Sequence, residues 1–245
     1  MYIKYIIIIC TLLSIFIQNV HSINIKKLDV PFISQNIPSC SLNSYLNGEA
    51  SCEMVIAYFK KREPLLENIK EYRSWITKNY IEYPDNKCKG PSIQHPYQII
   101  QLINKSNSCE YSAEYYNNIT INMLIDSINN GYPAIIWVYN YKQMIYQWIV
   151  VKGYEYNENG NIFRIFVNDP IKSNDEDLSY PIDIFLTAWD YTYNTCIFIK
   201  EISCIGSSDN VVIPGGGYEG IETMPLKSKK QDYWLQIYLL IKQKS

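Results

Sequence analysis

Two histidines, His21 and His95, and seven cysteines bound the chemistry open to this chain of 245 residues. A thiolate with an imidazole beside it is a nucleophile and base in one pair, the minimum for acyl transfer through a cysteine. Cys52, followed by Glu53, is the thiol best placed to open a helix. His95 stands between Pro91 and Pro96, a stretch where a lone histidine is a surface or capping residue. No two cysteines have the CxxC spacing, and one histidine is too few for a common zinc set, so neither a metal nor another cofactor is expected.

The beginning of the chain decides how many of these groups remain. Lys4 gives a short basic start, residues 5–17 are apolar, and Val20-His21-Ser22 offers a cut after Ser22. Residues 1–22 are therefore read as a secretory leader. A membrane helix is the rival reading, but it needs about 20 apolar residues, and this run first meets Gln18 and Asn19. Cleavage would remove Cys10, Lys4 and His21, leaving His95 alone. Six cysteines would remain (Cys40, Cys52, Cys88, Cys109, Cys196 and Cys204), enough for up to three disulfides whose pairing sequence cannot choose. The triplets Asn104-Lys105-Ser106 and Asn118-Ile119-Thr120 fit the glycan acceptor pattern. The formal charge of −2, one unit lower without Lys4, excludes nucleic acid as an expected partner.

Hydrophobic spacing then supplies the elements. Residues 28–33 (LDVPFI) read as an entry strand, and the apolar run within 51–61 as a buried helix. Further helices are expected over 64–79, 96–103, 121–129 and 181–189. Strands are expected over 133–139, 147–156, 161–167 and 196–202, with a hairpin turn at Asn157-Glu158-Asn159-Gly160. Helices first and antiparallel strands second indicate an α+β domain over 23–204. Residues 205–245 form an extension of undetermined structure. Its segment 232–241 (DYWLQIYLLI) is flanked by lysines, and packing on the core is preferred to lying on a membrane surface.

Four segments in order carry a resemblance. They are Val30-Pro31-Phe32-Ile33-Ser34-Gln35, NGEASCEMVIAYF over 47–59, Gly131-Tyr132-Pro133-Ala134-Ile135-Ile136, and QWIVVKGYEY over 147–156 followed by Val167-Asn168-Asp169-Pro170. Over roughly 28–202 the chain resembles the double-glycine, bacteriocin-processing peptidases and their relatives. Their corresponding pieces read like VPYISQ, CGPxSLAMVLxYY, GxPxIxxV, HWVVVxGYD and VNDP. Gly48, Ser51, Met54, Val55, Tyr58 and Phe59 align without a gap. The resemblance implies a papain-like cysteine peptidase fold, with N-terminal helices packed on an antiparallel sheet.

Carried over position by position, the resemblance puts Gln35 where the oxyanion is held and Asp169 where the imidazole is oriented. It puts Asn47 in place of the cysteine and Gln147 in place of the histidine. Neither carboxamide takes up a proton near neutral pH. Gln147 is expected to donate to Asp169 and to accept from Asn47. Cys52 is the fallback nucleophile, but it lies five residues on, about 7.5 Å along and roughly 140° around an ideal helix. The expected function is a secreted, degenerate peptidase domain that binds a peptide or protein in the old groove. The alternatives are an active cysteine peptidase or amidase using Cys52, and an effector acting through another surface such as the lysine-rich tail.

Overall fold

The computed structural model describes residues 23–36, 46–80, 95–106, 111–172 and 178–201. In chain order the elements are β1 (Ile23–Lys27), α1 (Asn47–Phe59), α2 (Leu66–Tyr80), α3 (Pro96–Ser106) and β2 (Tyr111–Tyr116). Then follow α4 (Ile121–Asn129), β3 (Ala134–Asn140), β4 (Ile145–Asn157), β5 (Ile162–Asn168), β6 (Ser179–Pro181), α5 (Ile182–Asp190) and β7 (Cys196–Glu201). The expected leader over residues 1–22 and the lysine-flanked segment 232–241 fall outside the described residues. The chain divides into units Met1–Cys204 and Ile205–Ser245. Among the described residues no helix is long and apolar enough to cross a membrane.

The seven strands form one antiparallel sheet in the order β2-β7-β3-β4-β5-β6, with β1 added to β4. The α+β class and the helices-on-sheet arrangement are as expected. Apolar residues alternate between two cores. Ile135, Trp148 and Val150 face the core built with α1, α2 and α3, while Ile136, Ile149 and Val151 face the core built with α4 and α5. A strand covered on both faces has no reason to alternate polar with apolar, which is why β3 and β4 read as unbroken hydrophobic runs. Helix α1 is likewise buried from Asn47 to Ala57. Ile69, Tyr72 and Ile76 turn the inner face of α2 to the cores, as Ile99, Leu102 and Ile103 do for α3.

Three expectations need correction. The entry strand is β1, over Ile23–Lys27, and residues 28–35 continue as extended chain outside the sheet. Pro31 has no N–H to give a ladder. The segment is held from outside instead: the Leu28 N–H donates to the Lys152 carbonyl at 2.7 Å, and Asn168 Nδ2 donates to the carbonyls of Val30 and Pro31 at 2.9 and 3.3 Å. Strand β2 is a second departure, absent from the expected elements. It pairs only with β7, and Ala113 is its one buried residue. Finally, Cys52 and Cys196 are free thiols, so three disulfides among six cysteines cannot form. Each is buried in a different core, and the sheet stands between them. The other four lie outside the described residues.

Strand β4 is the longest, at 13 residues, and carries three partners. Where β1 crosses it, Gly153 lets the backbones close. A Cβ there would meet the Lys26 carbonyl oxygen at 2.5 Å and the Lys27 Cα at 2.8 Å. Both obstacles are main chain and cannot rotate away. Gly153→Ala should therefore cost about 1–3 kcal/mol in a urea titration, without changing the slope that reports exposed surface.

Candidate active site

The start of α1 is fixed by a backbone need on β4. Strand β5 reaches β4 only as far as the pair Val150 and Asn168, so Trp148 lies beyond its end. Buried peptide groups must find partners. Asn47 Oδ1 accepts from the Trp148 N–H at 2.9 Å, and Ser51 Oγ donates to the Trp148 carbonyl at 3.2 Å. Residues four apart share one helix face, so a single turn of α1 grips both polar groups of one residue. Leu46 precedes the helix and supplies no side-chain cap.

Gln147, next to Trp148, is tied at both ends of its carboxamide. Its Nε2 donates to Asp169 Oδ2 at 3.0 Å, as expected. Its Oε1 accepts from Asn140 Nδ2 at 3.2 Å. This corrects the expectation that Asn47 would be the donor. Asn47 and Gln147 do not bond to one another: the carboxamide oxygen of Asn47 accepts from the Trp148 peptide and that of Gln147 from Asn140. Both are buried, with 2% and 3% of their surface exposed.

Asp169 continues β5 and is fully buried. Its other partners are Tyr180, whose hydroxyl donates to Oδ2 at 3.3 Å, and the Ile171 N–H, which donates to Oδ1 at 3.0 Å. Burial pushes its pKa above the ordinary carboxylate value. The donors Ile171, Gln147 and Tyr180 and the charge of Lys172 only partly offset this. Gln35 is brought alongside by its own backbone, whose N–H donates to the Pro170 carbonyl at 2.9 Å, while Ser34 Oγ donates to the same oxygen at 3.3 Å. Ile33, two residues earlier, packs against the cluster of Leu46, Ala50 and Ile69 at the start of α1. The Gln35 Oε1 is buried without a hydrogen bond among the described residues.

The four positions singled out by sequence thus gather around Gln147-Trp148 and Asp169-Pro170. Cys52 does not join them. It is buried in the core with Met54 and Val55, and burial, then the charges of Glu49 and Glu53, push its thiol pKa well above the ordinary value. A thiol so placed holds its proton and meets no substrate. His95 sits at the exposed start of α3, stacked on Tyr97 at 5.4 Å, and shares no hydrogen bond with the buried Cys52. Glu53 serves the fold instead. It accepts from Arg62 at 2.6 Å, the Leu65 N–H at 2.8 Å, Asn68 at 3.0 Å and Tyr72 at 2.8 Å, binding α1 to α2.

Asn140 and Tyr180 join the cluster although neither sits in a recognisable motif, so the residues alone do not mark them. A hollow of about 1110 Å³ lies away from this cluster. It lies where α1 ends, lined by Tyr58, Phe59, Tyr111 and Tyr132, and by the segment 28–32 that runs on towards Gln35.

Two outcomes are expected of these surroundings. Cys52 should resist a thiol reagent in the native protein and react once the chain unfolds, as counted by mass spectrometry. For Asp169, a raised folded pKa means that the native state holds the proton more tightly than the unfolded chain. Stability from this group is therefore favoured as pH falls through the folded value towards about 3.9, and penalised above it. Asp169→Asn should remove that dependence, so urea titrations should show the wild type gaining on the variant upon acidification. Gln147→Ala removes a donor and should raise the Asp169 pKa further, as read by carboxyl NMR.

The comparisons with known proteins bear on the fold and the family. A crystal structure described as that of a C39-like peptidase from Bacillus anthracis superposes with a TM-score of 0.52 at 17% identity, over 73% of this chain and 98% of that one. At that identity the likeness shows the fold, and the fold is papain-like. No curated protein matches the chain. The model of the Peptidase_C39 like family matches residues 27–197, most of the chain, and the protein belongs to that family.

Proposed function

We propose that this is a secreted C39-like domain that has lost its reacting pair and binds an extended peptide or protein segment without cutting it. One observation carries the reading. Gln147 donates to Asp169 at 3.0 Å, on the strand and beside the acid where the family's motif order calls for an imidazole. The carboxamide reproduces the orienting hydrogen bond but has no proton to exchange near neutral pH. Asn47 stands at the helix start where a thiol would be activated by the N-terminal dipole. Its carboxamide nitrogen is a poor nucleophile, and its oxygen is spent on the Trp148 peptide. Loss of one triad member normally lowers the rate by several orders of magnitude, and both positions carry amides.

What survives is suited to holding. Gln35 keeps its carboxamide, whose nitrogen can donate to a carbonyl of a bound chain, while its buried oxygen has no partner among the described residues. Main-chain hydrogen bonds and pockets give affinity without needing a thiol. Residues 28–32 line the hollow at the end of α1 and continue along the chain to Gln35.

The test uses the full chain made through a secretory host. A peptide library should show no hydrolysis above buffer, whereas an immobilised array of extended peptides should retain the protein. Gln35→Ala should weaken that retention about tenfold, the worth of one good hydrogen bond. Asn47→Cys combined with Gln147→His should create a thiol with a pKa well below about 8.5. Turnover by the unmodified protein, or a new thiol titrating like free cysteine, would overturn the reading.

A further inference from the structure

We infer that Asn118 carries an N-linked glycan and that the other acceptor triplet, at Asn104, carries none. This rests on the secretory reading above. It concerns a site remote in sequence from Gln35, Asn47, Gln147 and Asp169.

Asn118 lies in the loop of residues 117–120 that joins β2 to α4. The loop is held on every side except at this side chain. The Asn118 N–H donates to the Tyr193 carbonyl at 2.7 Å. Asn117 Oδ1 accepts from Tyr115 and Thr195 hydroxyls at 2.5 and 2.9 Å. Ile119 is buried in the core, and Thr120 caps α4 by accepting from the Met123 N–H at 3.4 Å. Asn118 has φ of +54°, a left-handed conformation that asparagine tolerates better than most residues. Its carboxamide is exposed and makes no hydrogen bond among the described residues. On the adjoining segments Tyr115, Met123 and Tyr193 are more than a third exposed, apolar surfaces of a kind that suits the face of a sugar ring.

Asn104 is exposed as well, but its carboxamide is engaged. It sits within α3, and its Oδ1 accepts from the Ala113 N–H at 3.0 Å, the bond that ties α3 to β2. A substituent on the nitrogen of a trans amide lies on the same side as the oxygen. A sugar on Asn104 Nδ2 would therefore be driven against β2, where Ala113 is buried. The next residue of the triplet, Lys105, is also engaged, with Nζ 4.9 Å from the ring centre of Trp75. A sugar on Asn104 would compete with the hydrogen bond that joins α3 to β2.

The transfer itself needs a lipid-pyrophosphate-linked oligosaccharide. The Asn118 amide nitrogen forms a bond to the anomeric carbon, and the C–O bond to pyrophosphate breaks. The lipid pyrophosphate departs with the electron pair, and a base takes one amide proton.

The experiment expresses the full chain, leader included, in a eukaryotic secretory host. Protein from the medium is mapped by glycopeptide mass spectrometry before and after peptide N-glycosidase. The expected result is one glycan, lost in Asn118→Gln and kept in Asn104→Asp, which preserves the acceptor for Ala113. A sugar on Asn104, or protein in the medium cut after Ser22 with Asn118 bare, overturns the assignment alone. A chain kept in the cytosol with its leader intact overturns the assignment and the secretory reading together.

Discussion

The peptide of Trp148 organises the centre of this molecule. It lies one step past the end of β5, where a strand in mid-sheet has lost its neighbour. Leaving its N–H and carbonyl unpaired in the core would cost about 1–3 kcal/mol for each group. Asn47 and Ser51 supply both partners from one turn of α1. The same contact sets the position of the helix start, the depth of the Trp148 ring between α1 and Trp137, and the place of Gln147 next to it. Trp137 and Trp148 stack at 5.4 Å, sealing the sheet side of that corner. An asparagine at the head of the helix is thus a structural fitting.

The buried acids around α1 make the same point from the other direction. Glu49 meets Arg73 at 3.1 Å, and Glu53 gathers donors from Arg62, Asn68 and Tyr72, all within or just beyond the first two helices. Taking carboxylates out of water costs several kcal/mol each unless charge and hydrogen bonds offset it. Here the offsets fix one helix against the next, so α1 is clamped by α2 on one side and by β4 on the other. A clamp of this kind suits a site that presents a surface of constant shape.

Much of this could be read from the residues. Helix α1 covers most of the apolar run expected within 51–61, which is too long for a strand, but it begins four residues earlier, at Asn47. Strands β3, β4, β5 and β7 fall where β-branched and aromatic residues cluster between turns. The meeting of Gln147 with Asp169 followed from the order of two motifs. Other features left no mark. Strand β2 (YSAEYY) has one buried residue and a single partner, so neither periodicity nor apolar content distinguishes it from a loop. Residues 28–33 look like a strand by composition, yet Pro31 turns their hydrogen bonds towards Asn168. Asn140 reaches Gln147 from the end of the neighbouring strand, seven residues away, a contact that only the hairpin's register creates. No letter of the sequence announces that a backbone group at Trp148 will need a partner.

The bond between Asn47 and Trp148 spans 101 residues of chain. A ribosome adding roughly 5–20 residues per second needs about 5–20 s to produce the second partner after the first. Throughout that interval α1, apolar around most of its circumference, has no sheet to rest on. Biosynthesis therefore passes through a nascent stage that must be shielded from other chains, and the demand on chaperones falls on the very helix whose head defines the site.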